Sequence, residues 1–287
     1  RTWYWRGWRI HYTYFHPRRS PAGIPLVLIH GFGAALGHWR HNFEAWSESH
    51  PVYALDLLGF GRSQKAGANY NPAFFAELIQ DFCETFVQRP AILVGNSLGS
   101  VISLITAHHA PHRVRGLVLI NLPDASVLSR RSVPPAVSAP PPKIIRALQF
   151  LATFIFTSPL VINPLLAIVS RPRFLYSALR NAYADPRWVD DELKALIREP
   201  TQDPQAALAL RCLTRGMGQT QPRDRARWIL PQLEIPVLLL WGKDDRLVPP
   251  QLGPRCAALN PRIELVELER AGHCPQDECG DRVNAIV

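Results

Sequence analysis

Seven short apolar runs punctuate the chain: Trp8–Tyr14, Pro25–His30, Pro51–Asp56, Pro90–Gly95, Gly116–Asn121, Pro236–Trp241 and Arg262–Glu267. Most are nearly unbroken Val, Ile and Leu, as strands covered on both faces require. Helical patterns fall between them, and this alternation predicts an α/β fold with a mainly parallel central sheet flanked by helices. One helix start is explicit. Asn71-Pro72 offers an N-cap and a first-turn proline, after which Phe75, Leu78, Ile79, Phe82 and Phe86 form an apolar helical stripe. That stripe reads as ordinary core.

The alternation stops near Asp124 and resumes near Pro236. Within the gap, prolines 134, 135, 140, 141 and 142 read as a loop leading from ordered to flexible chain. Helical patterns follow, two opening with Asp185-Pro186 and Asp203-Pro204. The expected division is a core of residues 1–124 and 234–287, with residues 125–233 inserted as a helical cap. Inside the cap, Ala147 to Ser170 holds no charged residue over 24 positions. Its length suits a membrane span. However, Pro159, Asn163 and Pro164 interrupt it, and a span there would put the two halves of the sheet on opposite sides of a bilayer. The remaining readings are a cap core or a greasy surface that dips into lipid. Lys143, Arg146, Arg171 and Arg173 flank the segment and suit anionic headgroups.

With 287 residues, 47% of them hydrophobic and 19% charged, the chain can bury a sizeable core, which excludes wholesale disorder. The net charge of +9 rests on 28 arginines and four lysines. They are scattered, with no zinc-finger spacing, RNA-binding aromatic motif or basic helix, so nucleic acid is not an expected partner. Five cysteines, an odd number without a CxxC pair, argue against a disulfide framework and a structural zinc site. The chain opens at Arg1, which is compatible with a removed leader; no signal peptide is visible within it.

Candidate chemistry sits at the ends of the apolar runs. Gly95-Asn96-Ser97-Leu98-Gly99 follows one strand and precedes a helix pattern over Ser100–His109. This is G-x-S-x-G in the strand–turn–helix context that projects a serine hydroxyl beyond a sheet. His30-Gly31-Phe32-Gly33 ends an earlier strand. The backbone N–H groups of Phe32 and Leu98 are the expected oxyanion donors, and His30 itself is expected to order its loop. After Pro236–Leu240, the stretch Lys243-Asp244-Asp245 supplies an acid: Asp245 by its spacing, with Asp244 and Asp124 as alternatives. Gly272-His273-Cys274 follows the last strand, where a general base belongs. Cys274 is displaced as a nucleophile by Ser97, which already holds the elbow. His38 and His41 lie near the oxyanion loop and are read mainly as packing or surface residues. Asp56 is read as stabilising its own turn, and His108-His109 lacks further ligands for a metal. Trp3, Trp5 and Trp8 suit either an interfacial belt or a cover over the first strands.

The order Ser97, Asp245, His273 is that of the α/β-hydrolases, which the chain resembles from end to end. Finer features resemble the pheophytinase and chlorophyll dephytylase group of plants and cyanobacteria. They are Trp5-Arg6-Gly7 before Ile10-His11-Tyr12, His30-Gly31-Phe32-Gly33-Ala34 with His38-Trp39-Arg40, Asp56-Leu57-Leu58-Gly59-Phe60-Gly61, the elbow with Asn96, and Gly272-His273-Cys274-Pro275 with Asp277-Glu278. Ser100, Gln276 and Cys279-Gly280 depart from that group's pattern. The resemblance implies a serine esterase that removes phytol from chlorophyll or pheophytin without a metal or organic cofactor. It also implies a peripheral membrane, thylakoid or stromal/cytoplasmic setting. A lipophilic ester is the expected partner, with membrane contact through the cap. Two other readings stand beside it: a C–C bond hydrolase of the meta-cleavage type, and a hydrolase-fold binder of lipophilic ligands with little turnover. Epoxide hydrolases and haloalkane dehalogenases share the fold but use Asp at the elbow, and Ser97 counts strongly against both.

Overall fold

The computed structural model describes residues 1–20, 22–128, 164, 168, 171–217 and 219–287. The proline-rich stretch 134–142 and almost all of Ala147–Ser170 lie outside the described residues. Eight strands form one sheet: β1 (Thr2–Trp5), β2 (Trp8–Phe15), β3 (Leu26–Ile29), β4 (Val52–Leu55), β5 (Ala91–Asn96), β6 (Val114–Ile120), β7 (Val237–Gly242) and β8 (Ile263–Leu268). Their spatial order is β1-β2-β4-β3-β5-β6-β7-β8. β1 and β2 pair antiparallel, as do β2 and β4; every other pair is parallel. All seven sequence-predicted strands are present, shifted by a residue or two. Several begin immediately after a proline, which has no N–H to give to the ladder but keeps a carbonyl to receive from it. Thus Pro25 O accepts from Ile92 N and Pro51 O from Leu26 N, both at 2.9 Å.

β1 was not predicted. It lies in the tryptophan-rich start, and its side chains cover the sheet rather than forming a belt. Trp5 is buried and donates to Asp81 at 2.6 Å, while Trp3 meets Phe82 and Phe86 edge-on.

Alternate residues along the strands feed two different cores, the signature of a pleat buried on both sides. Val27, Ile29, Leu93, Leu117 and Leu119 join the cluster under α2 (Pro72–Phe82) and α3 (Leu98–His109). Leu26, Leu28, Val94, Val118 and Ile120 join the opposite cluster, with α1 (Phe43–Ser47). Fully burying such a side chain is worth about 1.5–3 kcal/mol. α2 starts as predicted, with Asn71 Oδ1 accepting from Phe74 N at 2.9 Å.

β6 and β7 are paired neighbours, yet more than a hundred residues separate them in sequence, so that whole stretch is an insertion. Its described part is helical: α4 (Pro172–Ala182), α5 (Asp191–Arg198), α6 (Ala206–Met217) and α7 (Ala226–Ile229). Beyond β7 come α8 (Leu252–Ala257), α9 (Pro275–Glu278) and α10 (Gly280–Ile286). No helix among the described residues is long and apolar enough to cross a membrane. The five cysteines are all free.

Candidate active site

Four loops at the carboxyl ends of parallel strands converge. Ser97 follows β5 with φ 54° and ψ −116°, a left-handed conformation that costs a non-glycine residue about 1–3 kcal/mol. Two glycines make this turn sterically feasible. A Cβ on Gly99 would stand 2.0 Å from Ile29 O, and one on Gly95 2.3 Å from the Gly99 carbonyl carbon. Ser100, where the resembling family has a second glycine, is accommodated by hydrogen bonding. Its hydroxyl lies 2.6 Å from Gly95 O and 2.9 Å from Ile120 O. α3 begins at Leu98, so the first helical N–H groups face the Ser97 turn.

Asp245 and His273 are a hydrogen-bonded pair. His273 Nδ1 donates to Asp245 Oδ2 at 2.8 Å, and the other carboxylate oxygen accepts from Leu247 N and Val248 N at 2.7 and 2.9 Å. Because a carboxylate can only accept, Nδ1 is the donor, and in the neutral imidazole that leaves Nε2 as an acceptor. Of the three acids considered from sequence, Asp245 is the one against His273. Asp124 instead gives its two oxygens to Ser126 N and Ala226 N, at 2.8 and 2.7 Å.

Ser97 Oγ makes no hydrogen bond to the described residues, His273 included. The two are joined at one remove: Asn96, beside Ser97, donates its side-chain amide to His273 O at 3.0 Å. Catalytic hydrogen bonds are often open before substrate binds. Asn121 adds a second clamp that sequence reasoning missed. It accepts from Gly242 N and donates to Gly272 O, both at 3.0 Å, tying the ends of β6 and β7 to the histidine loop. The available signal was a polar Asn ending an apolar strand, as Asn96 does one strand away. Glu278 was also missed as a positioning group; its two oxygens accept from Gly272 N and Asp185 N at 2.6 Å. Burial raises its carboxyl above the usual range despite those N–H donors.

The loop after β3 lies against Ser97, for a Cβ on Gly31 would be 3.3 Å from Ser97 Cβ. Neither Phe32 N nor Leu98 N is taken up by a described partner. His30 is fully buried and orders this loop: Nε2 accepts from Leu57 N at 3.0 Å, and Nδ1 donates to Gly31 O at 2.8 Å. Burial lowers its proton affinity below that of an ordinary histidine. Asp56 braces the neighbouring loops by accepting from Leu36 N, Arg62 N and His11 Nδ1. Cys274 is buried, and desolvation together with the charges of Asp277, Asp245 and Glu278 raises its thiol well above the usual range. It is thus a poor nucleophile. His38 is buried, with Nε2 2.8 Å from the Tyr183 hydroxyl, whereas His109 pairs with Asp224 at 2.9 Å. No cluster of metal-ligating side chains occurs among the described residues.

Ser97 opens into a cavity of about 240 Å³ lined by Phe32, Leu98, Val101, Met217, Asp124 and Arg225 among others. Phe32 also borders a second, apolar cavity of about 170 Å³, where Leu175, Ile197, Leu210 and Leu213 of the insertion face Phe60. A chamber that holds the Ser97 hydroxyl thus adjoins a greasy cleft between sheet and insertion.

Residues 24–278 match the alpha/beta hydrolase fold family, and the chain belongs to it. Among curated relatives, an uncharacterized hydrolase of Bacillus subtilis is 28% identical over 268 residues, covering 93% of this chain and 89% of that protein. The 2-hydroxymuconate semialdehyde hydrolase of Pseudomonas sp. (strain CF600) is 28% identical over 278 residues, covering 93% and 87%. The chloroplastic pheophytinase of Arabidopsis thaliana is 23% identical over 295 residues, covering 92% of this chain and 60% of its own length. Pheophytinase is therefore a distant homologue among many differently named ones, and the finer resemblance does not single it out. A solved esterase from Thermogutta terrifontis shares the fold, with a TM-score of 0.71 at 21% identity over 97% of this chain and 91% of that one.

Proposed function

We propose that this hydrolase-fold chain is a serine-dependent hydrolase of carboxylic esters bearing a hydrophobic group. The observation that carries the reading is the Asp245–His273 pair, tethered through Asn96 to the strained turn that presents Ser97. In this mechanism the bare Nε2 of His273 takes the Ser97 proton as Oγ attacks the ester carbonyl. Asp245 holds the tautomer and stabilises the imidazolium. The oxyanion forms against the N–H groups of Phe32 and Leu98. The imidazolium then returns its proton to the departing alcohol. Water, deprotonated by His273, cleaves the acyl-enzyme to release the acid and restore Ser97.

The apolar cleft past Phe32 supports a long aliphatic group on the substrate. Its specific form, suggested by the motifs shared with pheophytinase, is phytol release from a chlorophyll-type pigment at a membrane surface. Incubation with chlorophyll a, pheophytin a and 4-nitrophenyl esters of increasing chain length tests the assignment. Free phytol from either pigment supports dephytylation; turnover confined to short esters refutes it. Ser97→Ala must abolish every such activity with the fold intact.

A second reading, hydrolysis of a C–C bond in a vinylogous diketo acid, is favoured by the 28% identical semialdehyde hydrolase that aligns over 93% of this chain. A meta-cleavage product assayed beside the phytyl ester separates the two.

A further inference from the structure

Two charged side chains line the Ser97 chamber, Asp124 and Arg225. Their circumstances differ. Asp124 is buried and both its oxygens are occupied, by Ser126 N and by Ala226 N. Arg225 is half-buried, and among the described residues its guanidinium has neither an ion-pair nor a hydrogen-bond partner. Most other arginines that reach inward are paired: Arg40 with Asp277 and Asp190, Arg113 with Glu84. A half-exposed guanidinium with five donors and no acceptor among the described residues has donors to offer an incoming anion.

The backbone carrying Arg225 is nonetheless firmly set. Arg225 caps α7, whose first N–H is held by Asp124, and Arg227 N bonds Ser126 Oγ at 3.2 Å. The loop after β6 thus fixes the residue at the chamber wall, where its guanidinium meets whatever enters beside Ser97.

We propose that Arg225 is a specificity-determining residue that pairs with a carboxylate on the substrate, so the preferred esters carry a free acid on the portion lodged in the Ser97 chamber. The inference rests on the assignment of Ser97 as nucleophile and adds a substrate class to it. The planar guanidinium suits bidentate pairing with a carboxylate. Asp124 opposes a second anion by its own charge, but its backbone donors neutralise part of that field.

The test compares 4-nitrophenyl hemi-adipate with 4-nitrophenyl hexanoate, which are matched in length and differ by a terminal acid. Arg225→Gln is expected to lower the acid-to-neutral ratio of kcat/KM about tenfold or more, mainly through KM, the size of a lost charge-assisted bond. Arg225→Lys is expected to restore part of it. An unchanged ratio overturns the proposal, as does an equal fall on both esters. Binding is read without turnover in Ser97→Ala. Monoethyl adipate is expected to raise its melting temperature more than ethyl hexanoate does, and equal shifts overturn the proposal even where Arg225→Gln does not fold. Fluorophosphonate labelling separates the two assignments. An unlabelled Ser97 with no turnover of either ester refutes the nucleophile, whereas a labelled Ser97 with a flat ratio refutes only the role of Arg225.

Discussion

The sheet side and the insertion side of the candidate site are built on different physics. On the sheet side, side chains at four strand ends are fixed by short hydrogen bonds: Asp245 to His273, Asn96 to His273 O, Asn121 to both Gly242 and Gly272. On the insertion side, Leu175, Ile197, Leu210 and Leu213 line, with Phe32 and Phe60, a cleft whose walls are mainly apolar. Directional bonds hold a geometry to tenths of an ångström; apolar contact tolerates changes of shape. Under the proposed function, reaction chemistry falls to the sheet and choice of hydrophobic group to the insertion. Substitutions on the two sides should therefore leave different kinetic signatures.

The largest effect is expected on the sheet side. Asp245→Asn keeps the volume but reverses what the His273 tautomer requires. It should reduce kcat by about 10⁴-fold, as the equivalent change does in serine-protease triads. The loss should be equal for short and long esters, read from kcat across a chain-length series. A loss that depended on chain length would break the division of labour.

Asn121→Ala comes next. It leaves Gly242 N–H and Gly272 C=O buried without partners, at roughly 1–3 kcal/mol for each group. A fall in the unfolding midpoint of a denaturant titration checks it, with kcat reduced for every ester because the His273 loop is released. Retained stability would show that neither bond matters to the strand ends.

His38 lies on the seam between the two sides, and its effect is one of pH. Burial lowers it from an ordinary 6.5 to about 4, outweighing the nearby charge of Asp277, with His30, Arg40 and His273 adding to the lowering. Between those values the unfolded chain binds a proton that the folded chain refuses. Stability therefore rises with pH across this window and is lost as pH falls from 6.5 towards 4, by up to about 3 kcal/mol. His38→Gln should flatten that part of the profile, measured as the difference in unfolding free energy between variant and parent at pH 7 and pH 4.5. Identical slopes would place the titration elsewhere.

How much of this was legible in sequence follows the same division. Nearly continuous Val, Ile and Leu runs behind prolines announce buried parallel strands, and the elbow, the acid and the histidine each end one. Local pattern suffices there because each residue's role is set by its own strand end. β1 escaped notice because Thr2–Trp5 pairs only with β2 and carries tryptophans where the parallel strands carry aliphatics. Asn121 and Glu278 were overlooked because their roles depend on partners far away in sequence, Gly242, Gly272 and Asp185, which neither composition nor period encodes. The proline-rich stretch and the uncharged segment were conspicuous by composition, yet that says what they can touch and not where they lie.

The smallest effect is expected on the insertion side, and it tests the comparison most finely. Ile197 borders the apolar cleft from the end of α5, opposite Phe32, and is only partly buried. Ile197→Ala removes three carbons from that wall. At about 0.8 kcal/mol for each buried CH₂, it should weaken binding of a long aliphatic group by roughly fiftyfold at most, and less in proportion to its exposure. The change should enter through KM for long esters, leaving kcat and the Asp245–His273 geometry alone, because no hydrogen bond of the sheet side passes through this residue. Short esters, which do not reach past Phe32, should be indifferent to it. The decisive measurement is the slope of log(kcat/KM) against chain length for parent and variant. A shallower slope with a common short-chain intercept is what separate sides require, while a parallel displacement of the whole line would mean that the insertion also sets the chemistry.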